Sequence, residues 1–362
     1  MSRPYALIRA GFPYVKSLGA FRKVMFPVDV AFGSEGRIYV LCPSAGGPSH
    51  SSVHYTKGTK GNAGPITMLN FDDEDLSSFD LPEGGHVREF PVKPGQVMEP
   101  TQLVLDSDEN VYVSDQATHR ITVFNRDGEL LGIWGEYGTE KGQLNRPAGM
   151  AFDADENLFV VDTMNHRVQK FTKDGVLVMG WGSHGDDDGQ FDMPWGIHID
   201  ELGDVYVGDW RNDRVQKFTA EGEFIFKIGE SGTENGQMRR PAGVAVDKHG
   251  DIYVCDWGNN RVLLFDQEGL FIQKFIGDAT LSKSTLERMF TRTGRYHRIR
   301  QMGSIDDEKY FVQPRSVRVD EQGYMFVCDY ECYRIQVYQK QAYPLTEEQV
   351  IPPLRAPTLN YN

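Results

Sequence analysis

The amino-acid sequence predicts an all-β protein: a six-bladed β-propeller of four-stranded antiparallel blades, with the ring closed by the N-terminal strand. Three observations predict it. A segment recurs at a fixed interval, apolar residues alternate within each recurrence, and a strand missing from the last recurrence stands before the first. The recurrence is plainest in mid-chain, where "RPAGMAFDADENLFVVDTMNHRVQKF", "MPWGIHIDELGDVYVGDWRNDRVQKF" and "RPAGVAVDKHGDIYVCDWGNNRVLLF" start at Arg146, Met193 and Arg240, 47 residues apart. Its marker prolines are Pro27, Pro100, Pro147, Pro194, Pro241 and Pro314, spaced 73, 47, 47, 47 and 73. A second marker is an aspartate at Asp115, Asp162, Asp209, Asp256 and Asp329, with Cys42 in its place in the first unit. Intervals of roughly 20 to 50 residues signal a repeat architecture.

Each unit reads as strands in order. In the fifth, apolar residues recur at alternate positions, Val244 and Val246, then Ile252 and Val254, then Val262 and Leu264, and turn residues such as "DKHG" separate the runs. Period-two runs joined by short turns are antiparallel strands. A fourth run, "FIFKIG" at Phe224 to Gly229 in the fourth unit, completes a blade. One blade cannot bury both of its faces, so six must pack radially around a channel. The sixth unit stops after three runs, at "RIQVYQK", while "YVKSLG" (Tyr14 to Gly19) precedes the first proline and matches "FIFKIG". That segment is expected to supply the outer strand of blade six, leaving no open sheet edge. The first and fifth units carry insertions of 26 residues, about 43–64 and 278–313, both expected on one face. Residues 1–340 are expected to form a single domain, with 341–362 as a tail.

The unit "P-x-G-x-x-x-D-x-x-G-x-h-Y-V-x-D-x-x-N-x-R-h-x-x-F" resembles the NHL repeat, over about residues 14 to 340. Asp162, Asn165 and Arg167 fit it, as do Asp209, Asn212 and Arg214, and Asp256, Asn259 and Arg261. These residues read as scaffold: Asp and Arg bridge adjacent turns, and Asn tolerates the tight backbone between them. The resemblance implies a propeller but no single activity. Relatives include ubiquitin-ligase propellers that bind RNA or protein, sensor domains of bacterial kinases, and the peptide-amidating lyase.

Composition narrows the partners. A net charge of −14 opposes binding to phosphate backbones, so no nucleic-acid partner is expected. No stretch is long and apolar enough to span a membrane, and charges and prolines interrupt the N-terminal segment where a signal peptide needs an apolar run. A cytoplasmic monomer is expected. Cys42, Cys255 and Cys328 lie inside apolar strand patterns and Cys332 follows closely, which predicts free thiols, not disulfides or a metal site.

Departures from the repeat mark candidate functional residues. The column after the marker proline holds Val28, Thr101, Ala148, Trp195, Ala242 and Arg315. Three residues further on come Ala31, Val104, Ala151, His198, Ala245 and Arg318. After the marker aspartate stand Gln116, Thr163, Trp210, Trp257 and Tyr330. The post-proline and post-aspartate columns are expected on one face at the channel mouth. Trp195, Trp210, Trp257 and Arg315 either form a site there or fill gaps between blades. His198 is a site group or a core histidine satisfied by Arg318 or a backbone carbonyl. Gln102 of the second unit joins the candidate ligand contacts.

Both insertions carry further candidates. The first contains His50, His54 and Tyr55, with His54 a ligand contact and no metal expected. The second has the capping pair Ser284 and Glu287, an apolar face of Leu286, Met289 and Phe290, and a cationic run of Lys283, Arg288, Arg292, Arg295, Arg298 and Arg300. It reads as a solvated basic face or as a lid offering Arg295 to an anion. In the peptide-amidating lyase, post-proline histidines hold a zinc; this column has no histidine, so that resemblance implies no zinc and no cofactor here. Its catalytic Arg and Tyr lie in or near post-aspartate loops, and Arg315 and Tyr330 are placed comparably. The expectation is a pocket for a small organic anion. If it is a lyase or hydrolase, Tyr330 or His198 moves the proton, Arg315 and Arg318 stabilise charge, and Trp195, Trp210 and Trp257 form the walls. The alternative is a scaffold whose same face grips a peptide or protein.

Overall fold

A computed structural model describes residues 8–19, 24, 26–43, 65–79, 81, 93–280 and 309–344. Six four-stranded antiparallel sheets form the blades, each starting from an inner strand that begins at or just after a marker proline, and in blades one to five the strands run outward in sequence order. Blade four is typical: Pro194–Ile199 inside, then Val205–Asp209, Arg214–Phe218 and Phe224–Ile228 at the rim. Blade six takes Pro314–Val319, Tyr324–Asp329 and Arg334–Gln339 from the C-terminal part of the chain and Tyr14–Leu18 as its outer strand, with Tyr14 opposite Tyr338 and Leu18 opposite Ile335. The expected closure is therefore the observed one. A two-stranded ribbon, Ile8–Gly11 with Gln341–Pro344, extends it.

The core is a ring of wedges between blades. Alternation gives every middle strand two apolar faces, so each blade buries both against its neighbours. Tyr206, Val215 and Ile228 of blade four pack with Val244, Val254 and Leu263 of blade five. Across the closure, Leu18, Phe326, Ile335 and Val337 pack with Val30, Ile38 and Val40.

Two repeat positions set the channel end of each blade. The marker aspartate lies opposite the marker proline, as Asp209 does Pro194. Its Oδ1 accepts the Asp192 amide at 2.8 Å, and its Oδ2 accepts Asn212 Nδ2 at 2.9 Å and Arg214 Nε at 2.9 Å. Arg214 then donates to the Asp186, Asp187 and Gln190 carbonyls of the incoming loop. Blades three and five repeat this set through Asp162, Asn165 and Arg167 and through Asp256, Asn259 and Arg261. These residues are structural ties, satisfying backbone carbonyls that the loop would otherwise leave open. The second position, two after the proline, is glycine in blades three to five because inner strands nearly touch there: a Cβ on Gly196 would sit 2.3 Å from the Ala242 carbonyl oxygen.

At the far ends of the blades the turns "DSDEN" and "DADEN" are tied by their own aspartates. Asp106 Oδ1 accepts the Asp108 and Asn110 amides, and Asp153 Oδ1 those of Asp155 and Asn157. Turn chemistry accounts for these acidic runs.

Candidate functional site at the channel mouth

The inner strands converge on a narrow cavity of about 20 Å³, lined by Thr101, Gln102, Trp195, Arg315, Ser316 and Arg318 among others. A cavity of this size holds about one water molecule, so the channel is nearly filled by side chains. What it can accept from the mouth is one small polar group.

Arg315 is the least satisfied of those lining residues. Its guanidinium carbon lies 3.9 Å from the Tyr330 ring centre. Its Nε is buried without a hydrogen-bond partner among the described residues, and no described carboxylate pairs with it. Burial presses its pKa down, against the attraction of Tyr330 and Glu331, yet a guanidinium stays charged. Burial likewise pushes the Tyr330 phenol up, so it is a proton donor at neutral pH. Phe26 packs against Tyr330 with ring centres 5.1 Å apart, fixing the platform.

Arg318 is committed elsewhere. Its Nε and Nη2 bind both oxygens of Asp29, at 3.1 Å and 2.7 Å. Ser316 Oγ also donates to Asp29, and the Leu103 amide reaches its other oxygen at 3.3 Å. Asp29, Gln102 and Ser316 occupy the column that is glycine in the middle blades. Each reaches across to the next inner strand, Gln102 by accepting the Met150 amide at 2.6 Å. With its carbonyl so used, Gln102 has only its amide nitrogen to offer a ligand.

His198 is a neutral group in a dry place. Burial and the neighbouring Arg318 charge press its pKa down to about 3, against a hydrogen bond with the Val246 backbone and the Asp247 charge. The residue is half-buried on the inner strand of blade four. Because the folded protein resists protonating His198 and the unfolded chain does not, its contribution is intact above the ordinary histidine pKa of about 6.5 and is lost as pH falls from there towards 3. Urea unfolding of wild type should therefore lose about 1–2 kcal/mol through this group between pH 6.5 and 5. His198→Gln should show correspondingly less loss; parallel pH profiles for the two proteins would mean that His198 does not set this dependence.

The aromatic columns meet as expected. Trp195 and Trp210 have ring centres 6.3 Å apart, and Trp210 and Trp257 6.1 Å, forming an arc from the channel towards the rim of blades four and five. All three rings are partly exposed. Arg240, which the column comparison passes over, stacks on the arc with its guanidinium carbon 4.7 Å from the Trp210 ring centre and 5.9 Å from that of Trp257. Asp29 was missed as well. His54 and Arg295, with His50, Tyr55, the short helix expected from Ser284 to Gly294 and the other basic residues of 283–300, lie outside the described residues.

One group near this face has metal-ligand chemistry: His166, His184 and Asp192, with donor atoms within 4.8 Å of one another. Yet His166 Nδ1 already accepts the Met193 amide at 3.1 Å, just as His119 Nδ1 accepts the Arg146 amide at 3.0 Å one blade earlier. Asp213 and Asn260 do the same with Arg240 and Gln313. The position is a repeat-wide cap for a backbone donor, and a metal on Nδ1 would have to break it.

Comparisons agree with the fold. The NHL repeat model matches residues 144–171, 191–218 and 238–265. No curated protein sequence matches the chain. Among solved structures, a catalytically inactive variant of virginiamycin B lyase from Staphylococcus aureus with quinupristin is similar at a TM-score of 0.52 and 11% identity, covering 94% of this chain and 90% of that one. A streptogramin B lyase structure gives 0.51 and 12%, covering 94% and 100%. A protein of unknown function from Bacteroides thetaiotaomicron VPI-5482 gives 0.55 and 15%, covering 92% and 76%. At these identities the likeness is one of fold. No helix among the described residues is long and apolar enough to cross a membrane. The chain is a six-bladed β-propeller that carries NHL repeats.

Proposed function

We propose that the propeller binds a small organic anion at the channel mouth, with a carboxylate seated on Arg315 and an apolar or aromatic body against Trp195. The observation that carries this reading is the unpaired guanidinium of Arg315, stacked on Tyr330 with a buried, unpartnered Nε. A buried donor without an acceptor is costly, and an arriving carboxylate removes that cost while gaining charge-assisted hydrogen bonds. Arg318 does not compete for the anion, since Asp29 neutralises it. Should the site carry out a lyase or hydrolase step, Tyr330 is the group with a proton to give at neutral pH, and His198, held neutral, serves as a hydrogen-bonding partner. The solved lyases of similar fold make that chemistry worth testing without assigning it. Four free thiols, three of them buried, support a cytoplasmic location.

A second reading has one observation in its favour. A cavity of about 20 Å³ accepts the end of a ligand more readily than a whole metabolite, and the end of a peptide is also a carboxylate. Calorimetric titration separates the two. Benzoate and related aromatic carboxylates should bind wild type, and Arg315→Met should weaken them by about 10- to 100-fold with an unchanged melting temperature. Binding confined to peptides with a free C-terminal carboxylate would favour the scaffold. No response to either class, or equal affinity in Arg315→Met, would end the anion reading.

A further inference from the structure

Arg146 and Arg240 stand at the same repeat position, immediately before the marker prolines of blades three and five, and both adopt a left-handed backbone, with φ of 56° and 54°. Their side chains meet different company. Arg146 Nη2 lies 3.4 Å from Glu99 Oε2 and 3.4 Å from Gln116 Oε1, the pre-proline and post-aspartate residues of the preceding blade. One blade pair further round, those two positions are Met193 and Trp210. The carboxylate and the amide that satisfy Arg146 are thus replaced by a thioether and an indole, and Arg240 makes no ion pair with a described carboxylate. Asp213, whose oxygen holds the Arg240 backbone amide at 2.7 Å, gives its other oxygen to Ser231 Oγ at 2.6 Å. No ion pair joins the Asp213 carboxylate to the Arg240 guanidinium.

What remains is an exposed guanidinium lying over two indole faces. Stacking holds the plane of the cation and leaves its edge, where the N–H donors point, open to a planar acceptor. Arg239 and Arg211, adjacent in sequence to Arg240 and Trp210, are exposed too. The tryptophan arc joins the two cations into one surface: Trp195 lines the cavity that Arg315 faces, and Trp210 lies beneath Arg240.

We infer that the ligand is an elongated, flat dianion, with one carboxylate taken by Arg315 at the channel mouth and the other by Arg240 at the outer end of the tryptophan arc. This rests on the anion reading of Arg315 and adds a second subsite that reading does not require. The body between the two charges is aromatic or conjugated, because the surface it crosses is made of indole rings, against which a flat π-system packs in offset or edge-on contact.

The test compares each aromatic dicarboxylate with the monocarboxylate of the same ring system, using benzoate against terephthalate and a biphenyl monocarboxylate against the matching dicarboxylate, by isothermal titration at low salt. In wild type the better of the two dicarboxylates should bind about tenfold more tightly than its monocarboxylate, the gain expected of one additional charge-assisted contact. In Arg240→Gln that ratio should collapse towards one. In Arg315→Met both members of the pair should weaken together. A wild-type ratio near one for both ring systems overturns the dianion, as does a ratio unchanged in Arg240→Gln, while monocarboxylate binding that depends on Arg315 leaves the simpler anion reading standing. If no carboxylate binds wild type, both readings fail. Arg240 is exposed, so its replacement is not expected to disturb folding, and a thermal melt of each variant checks this.

Discussion

Removing residues 1–19 should destabilise the propeller by about 5 kcal/mol or more, as much as the whole margin of many domains. The deletion takes the outer strand of blade six, its register with Arg334–Gln339, and Leu18, which is fully buried among Phe326, Ile335 and Val337. It also strips Arg334–Gln339 of its outer hydrogen-bond partner, leaving an open edge that invites pairing with another chain. The expected result is a large fall in the urea midpoint together with concentration-dependent aggregation. A gentler variant tests the same contact: Leu18→Ala should cost about 2–5 kcal/mol with the backbone ladder intact. Unchanged midpoints in both would mean that the ring is held elsewhere.

Arg318→Met should cost about 3–5 kcal/mol, because it leaves the Asp29 carboxylate buried without its cation. Removing both charges at once, Asp29→Val with Arg318→Met, should recover much of that loss, since the penalty lies in the unpaired ion more than in the missing bond. The comparison is a double-mutant cycle read by denaturant unfolding. Additive losses would show that Asp29 is held by Ser316 and the Leu103 amide without help from Arg318. Ligand binding measured on the same variants supplies a separate readout: with the anion seated on Arg315, affinity per folded molecule should be indifferent to the loss of Arg318.

The fold was legible because its constraint is periodic. A proline opposite an aspartate, an Arg five residues after that aspartate, and apolar residues at alternate strand positions recur at intervals of 47 residues, lengthened to 73 where insertions fall, and each recurrence packs against the next. Even the closure could be read, since "YVKSLG" fits the outer-strand pattern and nothing else near the N-terminus does. Parts of the site were legible for the opposite reason: Trp195 and Arg315 are large where the other four blades are small, and Trp210, Trp257 and Tyr330 are aromatic where Gln116 and Thr163 are not. A departure is illegible where it takes its meaning from a partner. Arg318 looks like a free cation in the channel, and the Asp29 that neutralises it stands 289 residues earlier, in a column where side-chain size alone does not single it out. Arg240 was overlooked because it breaks no pattern at all. Arg146 fills the same place, and only the neighbours differ.

The closure of blade six also bears on how the chain is made. Tyr14–Leu18 leaves the ribosome well before the strands it must join, Pro314–Val319 to Arg334–Gln339. Throughout synthesis of the five intervening blades, this apolar strand has no native partner, and blade one lacks the neighbour that covers Val30, Ile38 and Val40. At about 5–20 residues per second, that wait lasts on the order of tens of seconds. Chaperone demand should therefore peak before blade six emerges, and a circular permutant that begins at the blade-one proline and ends with Tyr14–Leu18 fused after residue 344 should need less of it.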